Sequence, residues 1–432
     1  MAESSSLEYK PTWVVAAVCF VIILISLFAE RGLNHLGKCL RHNNQDALFE
    51  ALQKLKAELM LLGFISLLLN VFQGLISKIC ISPHLEASML PCKKKPDSKN
   101  HEEYLLHAIH HGRRLFSTDT SSEHCSSQGK VPLLSTESFH QLHIFIFVVA
   151  VVHVVSCAII LVLGGARIRQ WKPWEDSISK VEKGIAENSQ SHHRRKLLEQ
   201  HAMGYWRKAA VVSWIMSFFK QFYSSVTESE YIALREGFIM KHCPEDREFN
   251  FHKYMMLSLE RDFRHVVGIS WYQWLFVVVF MTLNVDGWHT YFWLSFLPVI
   301  LLILVGAKLE HIIVRLAQDV VEMRKPLEEQ ETIKPSDEYF WFTRPRIVLD
   351  FIHFILFQNA FEIAFFFWIL WTYGFNSCIM EGKGYIIPRL IMGVIVQVLC
   401  SYITLPLYAL VTKMGTSFES VQVAVQSTGM TI

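Results

Sequence analysis

Ionisable and amide side chains set inside apolar runs are the residues of this sequence with chemistry to offer. Glu362 stands amid Phe361, Ile363, Phe365, Phe366 and Phe367, with Gln358 and Asn359 about one turn before it. Asp350 and His353 begin the same run at i and i+3, on roughly the same helical face. His153 and Gln397 lie in two other apolar runs. Such groups are expensive in hydrocarbon and mark ion paths or hydrated vestibules by default. Glu362 either lines a cation pathway or, as a neutral carboxyl group, joins interhelical hydrogen bonds. No repeated acidic ring or filter-like loop accompanies it.

Enzymatic constellations are missing. The sequence has no phosphate loop of the G-x-x-x-x-G-K-[ST] type, no G-x-S-x-G elbow and no H-E-x-x-H helix. His101-Glu102-Glu103 is followed by His107, six residues on, which puts the two imidazoles on different helix faces. Ser177-Ile178-Ser179-Lys180 matches S-x-x-K by chance, and the pairs His110-His111 and His192-His193 read as solvated loop residues. The expectation is a protein without catalytic activity, cofactor or metal.

The elements that must position these residues follow from composition. The 432-residue chain is 52% hydrophobic and 19% charged, against about 45–50% and about 25% for soluble domains. With 41 Lys+Arg against 39 Asp+Glu, a net charge of +2 offers no field to attract nucleic acid. The apolar residues are collected into runs of spanning length, about 20 residues each.

The expected order is an outer N-terminus (1–12), span one (13–29), a cytosolic loop (30–58), span two (59–81) and an outer loop (82–141). Span three (142–163) leads into a large cytosolic loop (164–270). Span four (271–285) turns at Asp286-Gly287 into span five (288–307), followed by a cytosolic loop (308–346). Span six (347–371), an outer loop (372–385), span seven (386–411) and a short cytosolic tail (412–432) complete the chain. Span one lacks a basic start and a small-residue cleavage site, so it reads as an uncleaved span rather than a signal peptide. The fold class is an all-α integral membrane protein of seven transmembrane helices.

Lys and Arg near span ends set the orientation. Arg31, Lys38, Arg41, Lys54, Lys56, Arg167, Arg169, Lys172, Lys308, Arg315, Arg344 and Arg346 gather on one side. That side is the cytosol, so the N-terminus lies outside and the C-terminus inside. Cys80, Cys92, Cys125 and Cys378 then fall on the oxidising side, where disulfides persist. They are candidates for two disulfides, and three pairings are open.

Within the large loop, Trp206-Arg207-Lys208 opens a run carrying Trp214 and Phe218 and closed by Lys220. Its apolar core, about eleven residues, is too short to span. It suits a helix lying against the inner leaflet or, equally, the core of a small cytosolic domain.

Several aromatic-rich segments resemble the plant MLO family. They are His242-Cys243-Pro244 through Phe249-Asn250-Phe251-His252-Lys253-Tyr254-Met255, Asp262-Phe263 with Val266-Val267-Gly268-Ile269-Ser270, and Gly287-Trp288-His289-Thr290. Tyr339-Phe340-Trp341-Phe342 leading into Phe357-Gln358-Asn359-Ala360-Phe361 continues the series in the family's order. The resemblance implies a multi-pass plant plasma-membrane protein that modulates powdery mildew defence and cell death, with calcium as a permeant ion. It also implies that the four outer cysteines match the family's. The class alternative is a non-conducting scaffold that recruits cytosolic or trafficking partners; the oligomeric state stays open.

The family's calmodulin-binding tail helix is basic and carries a Trp. Here Met414-Gly415 is followed by Thr416-Ser417-Phe418-Glu419, and no Lys, Arg or Trp occurs after Lys413. A calmodulin target needs apolar anchors ringed by cations. Calmodulin is therefore a partner implied by the resemblance whose site is missing from residues 412–432.

Overall fold

The computed structural model of the chain describes residues 12–42, 46–82, 125, 130–183, 226–242, 249–283, 293–323, 336–374 and 383–413. These are helical almost throughout. The helices are α1 (Thr12–His42), α2 (Asp46–Ile76), α3 (Thr136–Lys183), α4 (Glu228–His242), α5 (Phe251–Val267) and α6 (Trp271–Leu283). They continue with α7 (Leu297–Met323), α8 (Pro345–Tyr373), α9 (Lys383–Leu399) and α10 (Leu405–Lys413), with a π-helical turn at Cys400–Thr404 between the last two. Five helical stretches are long and apolar enough to cross a bilayer: Leu48–Ile76, Glu137–Ile178, Leu297–Leu316, Pro345–Tyr373 and Ile386–Thr412. The bent pair α5–α6 makes a sixth if it is one span.

The chain divides into two compact units. The first holds residues 1–150, 279–290 and 368–382. In it α1 and α2 pack together, with Leu48, Ala51, Leu52 and Leu62 buried and Lys56 Nζ donating to Asn34 Oδ1 at 2.8 Å. Phe28 and Met60 are 80% and 74% exposed, as apolar side chains facing lipid are. Span two is helical only to Ile76; beyond a turn, Cys80–Ile81 forms β1, antiparallel to β2 (Val131–Pro132). A Cys80–Cys125 disulfide anchors this ribbon, with Cα atoms 5.5 Å apart. Trp368 Nε1 and the Tyr373 hydroxyl both donate to Gln141, at its carbonyl and side-chain oxygens.

The second unit holds residues 151–278, 291–367 and 383–432. Helix α3 does not stop at Gly164-Gly165; it runs unbroken to Lys183. Its 48 residues extend about 72 Å at 1.5 Å per residue, against a hydrocarbon layer of about 30 Å. Part of the expected large loop is thus an extension of span three. Helix α4 starts with a reciprocal capping box: Thr227 Oγ1 accepts from Glu230 N, and Glu230 Oε2 accepts from Thr227 N. It packs against α7. Trp171, Tyr231, Phe238, Phe251 and Met255 are almost fully enclosed, and Tyr231, Phe238 and Tyr254 make ring contacts there.

Span four is not a free-standing short helix. Asn250 caps α5 by accepting from Lys253 N, and after Gly268-Ile269-Ser270 the chain bends 44° into α6. Ser270 N donates to Gln273 Oε1 at 2.7 Å, which satisfies an orphan donor at the new helix start. Two short 3₁₀ turns, Ser336–Tyr339 and Trp341–Thr343, lead into α8; Phe340 is buried, while Phe342 is 82% exposed with φ 55°.

Candidate functional site

The polar residues expected inside span six fall into two groups on α8, both within the second unit. The first sits near the middle of the helix. Asn359 Nδ2 donates to Gln397 Oε1 of α9 at 2.8 Å. Gln358 Nε2 donates to Glu362 Oε1 at 3.2 Å and to the Leu294 carbonyl at 2.8 Å. All four side chains are buried: Gln358 0%, Asn359 3%, Gln397 5% and Glu362 8% exposed. Gly393, one turn before Gln397, allows the approach, since a Cβ there would meet Asn359 Oδ1 at 3.1 Å.

The second group lies at the other end of α8, against the α5–α6 bend. His265 Nε2 and Asp350 Oδ1 are 3.0 Å apart, at a half-exposed position. His353 is buried; its ring meets His265 edge-on at 5.5 Å, and its Nδ1 is 3.4 Å from the Tyr272 hydroxyl. Gln273 Nε2 donates to the His353 carbonyl at 3.4 Å. His153 belongs to neither group. It reaches the last carbonyl of α5, Val267 O, at 3.1 Å, with Cys157 Sγ at 3.8 Å. That is a helix-end hydrogen bond, not a position on a path.

Some of the arrangement went unread in the sequence. Gln273, fully buried, was a lone amide in a short apolar run, and Tyr272 and His265 sat beside it. Arg389 lies near the start of span seven, and an ionisable residue inside a span is itself a signal. Ser401 and Thr404 follow Gln397 at i+4 and i+7, so the last span carries a polar face. Outside the apolar spans, Glu175 on the α3 extension accepts from the Tyr231 hydroxyl at 2.9 Å and from Arg235 Nε at 3.0 Å. Burial pushes the Tyr231 phenol far above its usual range, and the Glu175 carboxylate adds to the effect.

Of the outer cysteines, Cys80 and Cys125 are joined, while Cys92 and Cys378 lie outside the described residues. The run with Trp206, Arg207, Lys208, Trp214, Phe218 and Lys220 also lies outside them, as do residues 414–432. Among the described residues, no three or more His, Cys, Asp or Glu are gathered to hold a metal ion.

The Mlo family model matches residues 4–428. The chain belongs to the Mlo family. It is 63% identical over 428 residues to MLO-like protein 13 of Arabidopsis thaliana, covering 97% of this chain and 89% of that protein. MLO-like protein 1 of the same plant is 53% identical over 436 residues, covering 96% and 83%. MLO protein homolog 1 of Oryza sativa subsp. japonica is 42% identical over 420 residues, covering 96% and 76%. No solved structure matches. As an Mlo protein the chain is a multi-pass membrane protein, and the Asn359–Gln397 and Gln358–Glu362 contacts are polar contacts inside an Mlo membrane region.

Proposed function

We propose that this Mlo protein acts in the plant plasma membrane as a modulator of powdery mildew defence and cell death, and that it does so by admitting calcium. The observation that carries this reading is the buried carboxyl group of Glu362 beside Gln358, with the Asn359–Gln397 pair one turn away. A divalent cation leaving water needs oxygen ligands in place of its hydration shell, and this cluster supplies carboxyl and amide oxygens at mid-span. Regulation by calmodulin would have to use a segment other than residues 412–432, where no basic target helix is written.

A scaffold reading draws on a different feature. The α3 extension, α4 and α5 build a packed aromatic core beyond the apolar spans, and such a surface can recruit partners without conduction. One experiment separates the two: calcium influx and surface level measured together in a heterologous cell, for the natural chain and for Glu362→Gln. Conduction requires lower influx in the variant at equal surface level. Equal influx at equal surface level rejects Glu362 as part of a path, and no influx from the natural chain selects the scaffold.

A further inference from the structure

The last span changes its winding where its polar face continues. Residues Cys400–Thr404 form a π-helical turn, in which Leu405 N donates to Cys400 O, five residues back. Such turns are rare, strained relative to the α-helix and concentrated at functional positions. Ser401 and Thr404 within this turn are both fully enclosed, at 0% exposure. Neither hydroxyl has a hydrogen-bond partner among the described residues. Gln397 spends its Oε1 on Asn359, and its Nε2 is likewise without a partner there.

Two comparisons make these orphans informative. A helical Ser or Thr in an apolar setting ordinarily bonds back to the carbonyl three or four residues earlier. Thr412, two turns on in the same span, does so, reaching Tyr408 O at 3.0 Å and Ala409 O at 3.4 Å. Ser401 and Thr404 do not, so their oxygens keep their full capacity for another ligand. The backbone at Ser401 is held from behind by α3. A Cβ at Gly164 would lie 3.4 Å from the Ser401 carbonyl and 3.3 Å from Leu259 Cδ2. A buried hydroxyl left unbonded is destabilising, and two in one turn beside an orphaned amide point to a shared occupant.

We propose that Ser401 and Thr404, with Gln397 behind them, form a hydrated station that holds a partly hydrated cation. The station lies one to two turns beyond the Asn359–Gln397 pair, toward the C-terminal end of the last span. The identity of the cation as one in transit rests on the conduction reading above. Hydroxyl oxygens suit this role because they replace some of the ion's waters without binding it too tightly to leave.

The test uses the full chain in membranes open on both sides. Hydroxyl-radical footprinting of the unmutated protein reads Cys400, which is buried and adjacent to Ser401, against Cys157, which is buried in α3. Water at the station makes Cys400 oxidise at least about tenfold faster than Cys157; equal protection overturns the proposal. In a Cys400→Ala chain, Ser401→Cys is then exposed to a small cationic thiol reagent with and without millimolar calcium. Modification slowed several-fold by calcium is expected, and a rate indifferent to calcium overturns the cation assignment. Neither readout needs flux, so a non-conducting chain and a dry π turn give distinguishable results.

Discussion

Asn359 on α8 and Gln397 on α9 share one hydrogen bond of 2.8 Å in the buried middle of the second unit, and Gly393 is the residue that lets them meet. The three form one device. An amide inside an apolar layer is costly alone and inexpensive when matched, and the match requires the two backbones to approach closely. A side chain at 393 would press on the oxygen of the same amide that donates to Gln397.

The pair is expected to show strong coupling. Asn359→Leu or Gln397→Leu alone leaves one amide buried without its partner and lowers stability by about 1 kcal/mol or more. The double Leu variant removes both polar groups and recovers most of the loss. Thermal unfolding of the full chain in detergent measures all four corners, and additive losses would show that the hydrogen bond is not shared as the geometry places it.

Two glycines make a matched contrast. Gly393→Ala puts a methyl group 3.1 Å from Asn359 Oδ1. That atom cannot retreat without disturbing the bond to Gln397, so a loss of about 1–3 kcal/mol is expected. Gly165 lies in α3 with nothing within 4 Å of a Cβ, and Gly165→Ala should gain up to about 1 kcal/mol from helix propensity. Melting temperatures that move in the same direction for both would contradict this.

The sequence carries the membrane class, most span positions and the polar points of span six, because each depends on local hydropathy. Glu362, Gln358, Asn359 and Gln397 were visible as polar residues in apolar runs, and they do meet. Asp350 and His353 looked like members of the same face, yet the α5–α6 bend claims them through His265 and Gln273. Periodicity assigns a face to a residue but not the neighbour that covers it. The continuation of α3 past Gly164-Gly165 was hidden for a related reason: a glycine pair reads as a stop, while here Gly164 serves close packing against Leu259 and Ser401. The π turn has no residue signature at all.

With Cys80 bonded to Cys125 across 45 residues, Cys92 is the remaining outer candidate for Cys378. A Cys92–Cys378 disulfide is expected, tying the last outer loop to the first and restricting the unfolded chain by about 2–4 kcal/mol. Non-reducing peptide mapping should find the two cysteines in one cross-linked fragment. Recovery of Cys378 as an alkylated thiol would remove the claim.

The most sensitive polar contact outside the apolar spans is Glu175 with Arg235 and Tyr231. The carboxylate is enclosed by Trp171, Trp174 and Tyr231 and accepts from both donors. A buried ion pair contributes little compared with a well-packed apolar substitute, yet removing one member strands the other charge at about 3–5 kcal/mol. Arg235→Leu should therefore lower the thermal stability of the full chain severely, because Glu175 keeps its charge with only a phenol to answer it. Tyr231→Phe removes one hydrogen bond to a charged group and should lose about 1.5–3 kcal/mol. Replacing both Glu175 and Arg235 with Leu should restore most of what Arg235→Leu loses. The ordering of these variants in one melting series is the test. If Arg235→Leu melted with the natural chain, the pair would not be what fixes α4 to the extension of α3.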